Sequence, residues 1–214
     1  MVDEIDMTVT TTDELNQLEA PEQLLDITIG NSNKIKECIQ WAITKPPEIT
    51  QKPGITMKKQ RINAQEKEKK WGNIMIGQND NGQWTTKLGE GMVRDVLEVR
   101  GENPIKITPK GGFEPDWETD NYIYEVKTRN WNVGGTAGEK VLGTWIKYQN
   151  IPELYGKPLR IVCVGFQEHE LTYGKTKYFG DNITTKTKQI LELAKSWGIE
   201  YIPFSKLIKN INYR

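Results

Sequence analysis

The chain is poor in the residues that build several common kinds of active site. Its 214 residues include one histidine and two cysteines. A zinc site built from several histidines is excluded, because His169 is the single histidine. A Ser-His-Asp triad would have to use this one residue. Cys38 and Cys163 follow no metal-binding or redox spacing, which indicates reduced thiols in an intracellular protein. We therefore expect no zinc peptidase, HNH nuclease or triad hydrolase, and we assign no role to His169, which we expect in a loop.

Long apolar runs are also missing. The longest, LRIVCVGF at residues 159–166, is far shorter than the roughly 20 residues that a membrane-spanning helix needs. The first residues, MVDEIDMTV, are acidic, unlike a signal or transit peptide. The Gly-x4-Gly-Lys-Ser/Thr loop that binds ATP is absent as well. These absences predict a cytoplasmic protein that has no membrane partner and does not move along DNA at the expense of ATP.

Basic residues are absent from the first 33 positions, which hold eight acidic side chains. All 29 basic residues therefore lie in residues 34–214, together with 21 acidic residues. One stretch, residues 52–70, has seven bases and two acids, and its pattern allows either a helix or a loop. The formal net charge of zero thus conceals a basic body with an acidic arm. This distribution fits a protein that binds polyanions, although ordinary solvated lysines would give the same counts.

Hydrophobic periodicity divides the chain into an N-terminal helical extension, residues 1–50, and an α/β domain, residues 51–214. The segment SNKIKECIQWAIT predicts a helix, and the three prolines and one glycine of KPPEITQKPG mark the boundary. The domain reads as helix, three strands, helix, strand, helix and strand. The corresponding segments are LGEGMVRDVLEVR, PIKIT, EPDW, YIYEVKT, GTAGEKVLGTWIKYQ, PLRIVCVGF, TTKTKQILELAKSWG and IEYIPF. This order favours a mixed central sheet flanked by helices.

The strand YIYEVKT carries charged side chains on alternate positions. Because positions i and i+2 of a strand point to the same side, Glu125 and Lys127 share one face. Turn residues bracket Asp116, and a hairpin would bring its carboxylate beside Glu125. Two close carboxylates repel each other unless a cation lies between them, and Mg²⁺ prefers such oxygen ligands. The pattern therefore predicts a Mg²⁺ site with a lysine beside it, although a Glu-x-Lys pair by itself is often only a surface ion pair.

The PD pair at 115–116 and the EVK triplet at 125–127 resemble the signature of the PD-(D/E)XK nucleases, in particular the type II restriction endonucleases. The resemblance covers roughly residues 84–166. The segment GGTAGEKVLGTWIKY is similar to a stretch that follows the catalytic strand in some restriction enzymes. The resemblance implies a restriction-endonuclease-like core and Mg²⁺-dependent hydrolysis of phosphodiester bonds in double-stranded DNA, leaving 5′-phosphate ends.

The same resemblance implies a role for individual residues. Asp116 and Glu125 would hold Mg²⁺ with the help of the Val126 backbone carbonyl. Lys127 would act on the attacking water. This family also often adds a carboxylate from the helix that precedes the hairpin.

We expect Glu90 to supply this further carboxylate, as a ligand of the metal or of the water. On a helical wheel Glu90 lies at the border of the apolar half, from which a side chain can reach the sheet. Asp95 and Glu98 are alternatives, and an ordinary surface pair of Glu90 with Arg94 would have the same spacing.

Polar side chains that follow the catalytic strand predict contacts with DNA. Arginine suits guanine and asparagine suits adenine, whereas a lysine and backbone N–H groups at a helix start suit a phosphate. The predicted DNA-binding residues are Arg129, Asn130, Asn132, Thr136 and Lys140. Lys147, Tyr148 and Gln149 are weaker candidates, and a polar loop around a packed tryptophan is an equally good reading of the segment.

These features favour a type II restriction endonuclease, whose palindromic site would match a two-fold homodimer. A DNA repair or junction-resolving nuclease with the same core is one alternative. A DNA-binding protein that does not cut is another, and the intact Asp116, Glu125 and Lys127 argue against it. A preference for branched or mismatched DNA would favour the repair enzyme.

Overall fold

In the computed structural model, which describes residues 27–28, 33–132, 140–209 and 211–212, the centre of the protein is a five-stranded mixed sheet. In chain order the strands are β1 (Ile27–Thr28), β2 (Ile105–Lys106), β3 (Trp117–Glu118), β4 (Ile123–Arg129), β5 (Leu159–Gly165), β6 (Ile199–Pro203) and β7 (Ile211–Asn212). The sheet has the order β2-β3-β4-β5-β6, antiparallel from β2 to β4 and parallel from β4 to β6. Strands β1 and β7 pair with each other in parallel.

Helices lie on both faces of this sheet. They are α1 (Asn33–Ile43), α2 (Met57–Met75), α3 (Trp84–Val99), α4 (Thr144–Lys147), α5 (Ile151–Tyr155), α6 (Phe166–Tyr173), α7 (Thr185–Ser196) and α8 (Phe204–Leu207). Helices α1, α3 and α8 share one apolar core with Tyr124 and Val126 of β4. Helices α5, α6 and α7 share a second core with Ile123 of β4 and with Ile161 and Cys163 of β5. The prediction of an α/β fold with a mixed sheet flanked by helices is confirmed.

Several predicted elements differ in length or kind from the observed ones. The basic stretch 52–70 lies largely in helix α2, whose first turn is capped by the Thr56 hydroxyl accepting from the Lys59 N–H at 3.3 Å. Such a cap satisfies one of the free N–H groups of a helix start. His169 lies on helix α6 and not in a loop. The predicted helix GTAGEKVLGTWIKYQ is represented by α4, and its residues 135–139 lie outside the described residues.

Helix α1 belongs to the core of the sheet domain, although it falls within the predicted N-terminal extension. Its buried side chains are Cys38, Ile39 and Ala42, which pack in the same core as α3. The described part of the extension is therefore continuous with the main domain in space. None of the described helices combines the length and the apolar character needed to cross a membrane.

Helix α3 approaches β4 closely because it carries a glycine at the point of contact. A Cβ atom at Gly89 would lie 1.7 Å from the Thr128 Oγ1 and 2.7 Å from the Thr128 Cβ. At Gly91, one half-turn further along, a Cβ atom would meet nothing within 4 Å. The lack of a side chain at Gly89 thus lets the helix lie against the strand and brings the next residue, Glu90, towards the hairpin.

Replacing Gly89 with alanine should lower the free energy of unfolding by about 1–3 kcal/mol, because the helix must move away from Thr128. The matched replacement Gly91→Ala should raise it by up to about 1 kcal/mol, since alanine favours the helix and meets no neighbour. Urea unfolding curves of the two variants measure the difference. Equal stability of both variants would contradict the close packing of α3 on β4.

Candidate active site

The hairpin of β3 and β4 places Asp116 beside the middle of the central strand. A turn at residues 119–122 closes the hairpin, with the Thr119 N–H donating to the Tyr122 carbonyl at 2.9 Å. Just before β3, the Asp116 N–H donates to the Tyr124 carbonyl at 2.9 Å, and the Asp116 Oδ2 accepts from the Val126 N–H at 2.6 Å. Since one strand residue turns its N–H and C=O to the same side, the Val126 carbonyl faces the side of Asp116.

Glu125 and Lys127 lie side by side on the face of β4 opposite to Tyr124 and Val126. The Lys127 ammonium group donates a hydrogen bond to the Glu125 carboxylate. The Tyr148 hydroxyl donates to the same carboxylate oxygen at 3.1 Å, and Glu125 is buried. A buried carboxylate requires such partners, because water no longer solvates it. The alternation predicted for this strand thus brings Glu125 and Lys127 together.

Glu90 reaches Asp116 from helix α3. The Glu90 carboxylate is close enough to help raise the pKa of Asp116, and the Lys106 ammonium lies 3.9 Å from the Glu90 Oε2. The backbone carbonyl of Glu90 accepts from the Trp117 indole N–H at 3.0 Å, which ties α3 to β3. The alternative carboxylates of the same helix, Asp95 and Glu98, lie with Arg94 in ion pairs away from the hairpin.

Burial and mutual repulsion make both hairpin carboxylates harder to ionise. Burial raises the pKa of Asp116 to about 6; the Val126 N–H and Lys127 oppose this rise, and the neighbouring Glu90 adds to it. Burial also raises the pKa of Glu125, where Lys127 acts against the rise and Asp116 adds to it. The charged forms of Asp116 and Glu125 are both disfavoured here, so a cation bound between them would stabilise both carboxylates.

This donor set fits a hard divalent cation. Carboxylate oxygens of Asp116 and Glu125 and the backbone carbonyl of Val126 are the ligand types that Mg²⁺ takes. Within residues 33–132 and 140–209, however, no three side chains among His, Cys, Asp and Glu are already arranged to hold a metal ion. The Lys127 ammonium already donates a hydrogen bond to Glu125, and Asp116 accepts one from the Val126 N–H. A cation would therefore have to displace the Lys127 ammonium from Glu125.

Comparison of the chain with protein-family models, with curated proteins and with solved structures found no match.

Arg129 is held inside the protein by contacts with helix α6. It is buried, forms an ion pair with Glu170 of α6, and its guanidinium group lies 4.8 Å from the centre of the Phe166 ring. These contacts fit a residue that joins β4 to α6. The predicted contact between Arg129 and guanine would require this ion pair to break.

Asn132 is bound inside the protein through Glu68 of helix α2. The Glu68 Oε2 accepts from the Asn132 N–H and from its side-chain amide, both at 2.9 Å. The Glu68 Oε1 accepts from the Trp131 N–H at 2.8 Å and from the Trp41 indole N–H at 3.0 Å. One buried carboxylate thus fixes the loop that follows β4, and the predicted contact between Asn132 and adenine would compete with Glu68.

The other predicted DNA contacts lie on the surface or outside the described residues. Lys140 is exposed and Asn130 is half-buried, so both can meet a ligand from solution. Thr136 lies outside the described residues. The roles proposed for these three residues stay predictions.

Two residues of the site are poorly visible in the sequence. Tyr148 is only a weak candidate for a DNA contact by position, yet its hydroxyl supports Glu125. Glu68 is one of two acids in the basic stretch 52–70, so nothing in the sequence singles it out, yet its side chain is buried. Neither residue is part of a recognisable spacing, since their partners lie 23 and 63 residues away along the chain.

The raised pKa of Asp116 predicts how the metal-free protein responds to pH. Between the ordinary aspartate pKa of 3.8 and about 6, the folded state binds more protons than the unfolded state. The free energy of unfolding should therefore fall as the pH rises through this window, by roughly 1–3 kcal/mol. Asp116→Asn removes the charge and keeps an acceptor for Val126, so the variant should be more stable than the original protein at pH 8 and similar at pH 4.

Urea unfolding in the presence of a chelator, at pH 4, 5, 6 and 8, measures this effect. The control is Asp120→Asn, which changes an exposed aspartate in the turn of the same hairpin. It should leave the pH dependence unchanged. If Asp116→Asn is no more stable than the original at pH 8, the charged form of Asp116 is not disfavoured in the folded protein.

Proposed function

We propose that this chain is a divalent-metal-dependent endonuclease that hydrolyses phosphodiester bonds in double-stranded DNA, of the type II restriction class. The observation that carries the proposal is the meeting of Asp116, Glu125 and Lys127 on one hairpin, with Glu90 added from helix α3. Carboxylates with a demand for a cation, and a lysine beside them, are the groups that phosphodiester hydrolysis needs.

The arrangement of the sheet supports the same proposal. The candidate residues lie on β4, the central strand, and at the start of β3, its antiparallel neighbour. Helix α3, which supplies the further carboxylate, precedes the hairpin in the chain. The PD-(D/E)XK resemblance implies this order of helix, hairpin and parallel strand.

In the proposed reaction a water oxygen attacks phosphorus and the bond from phosphorus to the 3′ oxygen breaks, leaving a 5′-phosphate and a 3′-hydroxyl. Asp116, Glu125 and the Val126 carbonyl would hold Mg²⁺, which would supply a Lewis acid and make a water at the site easier to deprotonate. Lys127 contributes a fixed ammonium group that orients the attacking water and offsets the charge that develops on the phosphate oxygens. Tyr148 holds the Glu125 carboxylate in place.

The surrounding residues would serve binding and assembly. The exposed basic residues of α2 suit DNA phosphates, and their contacts would position the duplex without reading its sequence. A second copy of the chain would place a second site on the opposite strand of a palindromic target. Sedimentation of the protein with and without DNA measures that stoichiometry.

The test is digestion of unmethylated phage DNA. Mg²⁺ should yield discrete fragments with 5′-phosphate ends, whereas Ca²⁺ or a chelator should yield none. The Asp116→Ala protein, purified in the same way, controls for contaminating nucleases. A smear would indicate cleavage without sequence preference, and discrete cutting only of branched DNA would favour a junction-resolving nuclease. No cleavage of duplex or branched DNA with Mg²⁺ or Mn²⁺ would contradict the proposal.

A further inference from the structure

Four aromatic rings cluster on the surface beyond the carboxyl ends of β4 and β5. The Trp131 ring centre lies 5.7 Å from Phe166 and 5.5 Å from His169, and Phe166 stacks on His169 at 5.7 Å, so these three half-buried rings form a triangle. Tyr173 extends the cluster, and its ring lies 4.9 Å from His169. Tyr173 is 72 % exposed, so its ring is largely open to solvent. We call Trp131, Phe166, His169 and Tyr173 the aromatic cluster.

Positive charge lies on two sides of the aromatic cluster. Beside Trp131, Lys45 and Arg61 line a cleft of about 280 Å³ that also contacts Phe166. Beside Tyr173, Lys175 lines a cleft of about 470 Å³ together with Phe166 and His169.

Two acidic residues, Glu48 and Glu170, also line these clefts. Each of them is paired with a base, Glu48 with Lys45 at 3.4 Å and Glu170 with the buried Arg129. The aromatic cluster is therefore bordered by an excess of positive charge.

We propose that the aromatic cluster is a stacking platform for unpaired bases of a nucleic acid, with Tyr173 as its exposed ring. Every base offers a flat π face to an aromatic ring, and basic side chains on either side attract the backbone phosphates. A ring that belonged only to the core would be covered, and a protein partner of ordinary composition would not require basic groups on both sides. An exposed aromatic ring and flanking basic side chains together match a single strand.

The position of the platform connects it to the proposed cleavage site. Residues i and i+2 of a strand share a face, so Arg129 lies on the same face of β4 as Lys127, roughly 7 Å further along. The Arg129 guanidinium lies against Phe166, one ring of the aromatic cluster. The inference thus deepens the proposed function: the nucleic acid that meets Lys127 would present an unpaired base, from a flipped nucleotide or a single-stranded branch, to the platform.

The test measures binding and needs no cleavage, so it stands apart from the test of the proposed function. In a chelator, fluorescence anisotropy follows a labelled single strand of about 12 nucleotides. Tyr173→Ala should weaken binding about fivefold or more, because one stacked base is lost. Tyr173→Phe, which keeps the ring, should bind like the original. Trp197→Ala, an exposed ring that packs on Trp145 elsewhere, should have no effect.

A second strand of the same length, made of abasic residues, separates rings from charge. It keeps the phosphates and offers nothing to stack, so Tyr173→Ala should not change its binding. Lys175→Ala should weaken both strands and lower the salt slope by about 0.7. Equal binding of the normal strand by Tyr173→Ala and the original would overturn the proposal. So would an equal loss on both strands, or the finding that Tyr173→Ala abolishes self-association and leaves strand binding intact.

Discussion

Replacing Lys127 with alanine is expected to slow DNA cleavage by a factor of at least about 100 while binding of the duplex stays measurable. Lys127 is the cation that the structure places against the Glu125 carboxylate. Without it, the hairpin loses the ammonium group that we propose faces the phosphate when negative charge develops there. The pKa of Glu125, which Lys127 holds down, should also rise, so any remaining activity should need a higher pH.

Cleavage in Mg²⁺ and duplex binding in Ca²⁺, measured across pH 6–9, test this expectation. Lys206→Ala is the control, because Lys206 is an exposed lysine that forms a surface pair with Glu200 at 3.7 Å. It should cleave and bind like the original protein. A Lys127→Ala protein that cleaves at the original rate would show that the hairpin is not the catalytic centre, whatever other activity the protein has.

Replacing Glu68 with alanine is expected to lower the free energy of unfolding by about 3–5 kcal/mol, since it leaves four partly buried N–H groups without this acceptor. The groups concerned belong to Trp41, Trp131 and Asn132. For a protein of this size such a loss corresponds to a fall in Tm of about 10 °C. Trp131 and Asn132 follow β4, so the loop beside the proposed site should loosen as well.

Thermal unfolding measures the stability, and hydrogen exchange of the Trp131 and Asn132 amides measures the loosening. Glu66→Ala changes an exposed glutamate on the same helix and should alter stability by no more than about 0.5 kcal/mol. Glu68→Gln keeps one good acceptor and should fall between the two. Unchanged exchange in a destabilised Glu68→Ala protein would show that the loop is held by other contacts.

The parts of the fold that follow from local patterns could be predicted. The near-continuous apolar run of β5 and the alternation of β4 each follow from which faces are buried, and the sequence shows both. Asp116 could be placed near Glu125 because turn residues on either side of it require a hairpin. Glu90 could be preferred over Asp95 because the helical wheel separates the side facing the sheet from the side facing water.

The parts that depend on distant partners could not be predicted. The sequence alone does not show whether an arginine or asparagine in a loop is free to bind DNA or already binds an internal carboxylate. Arg129 forms an ion pair with Glu170, and Asn132 donates a hydrogen bond to Glu68, each far away in the chain. Helix α6 was missed because its sequence, FQEHELTY, has no clear apolar stripe. One sequence carries no signal for these pairings.

The short turn between β3 and β4 has a consequence for how the protein folds. This turn needs only residues 119–122, whereas β4 and β5 are joined through residues 130–158, and β5 and β6 through residues 166–198. Loop-closure entropy therefore favours the hairpin as the earliest pairing of the central sheet, and the parallel strands raise the contact order of the rest. Asp116, Glu125 and Lys127 should meet before Glu90 and Tyr148 enclose them. Substitutions in the hairpin should then slow folding, and those in the parallel half should mainly speed unfolding, as rate measurements on both kinds of variant would reveal.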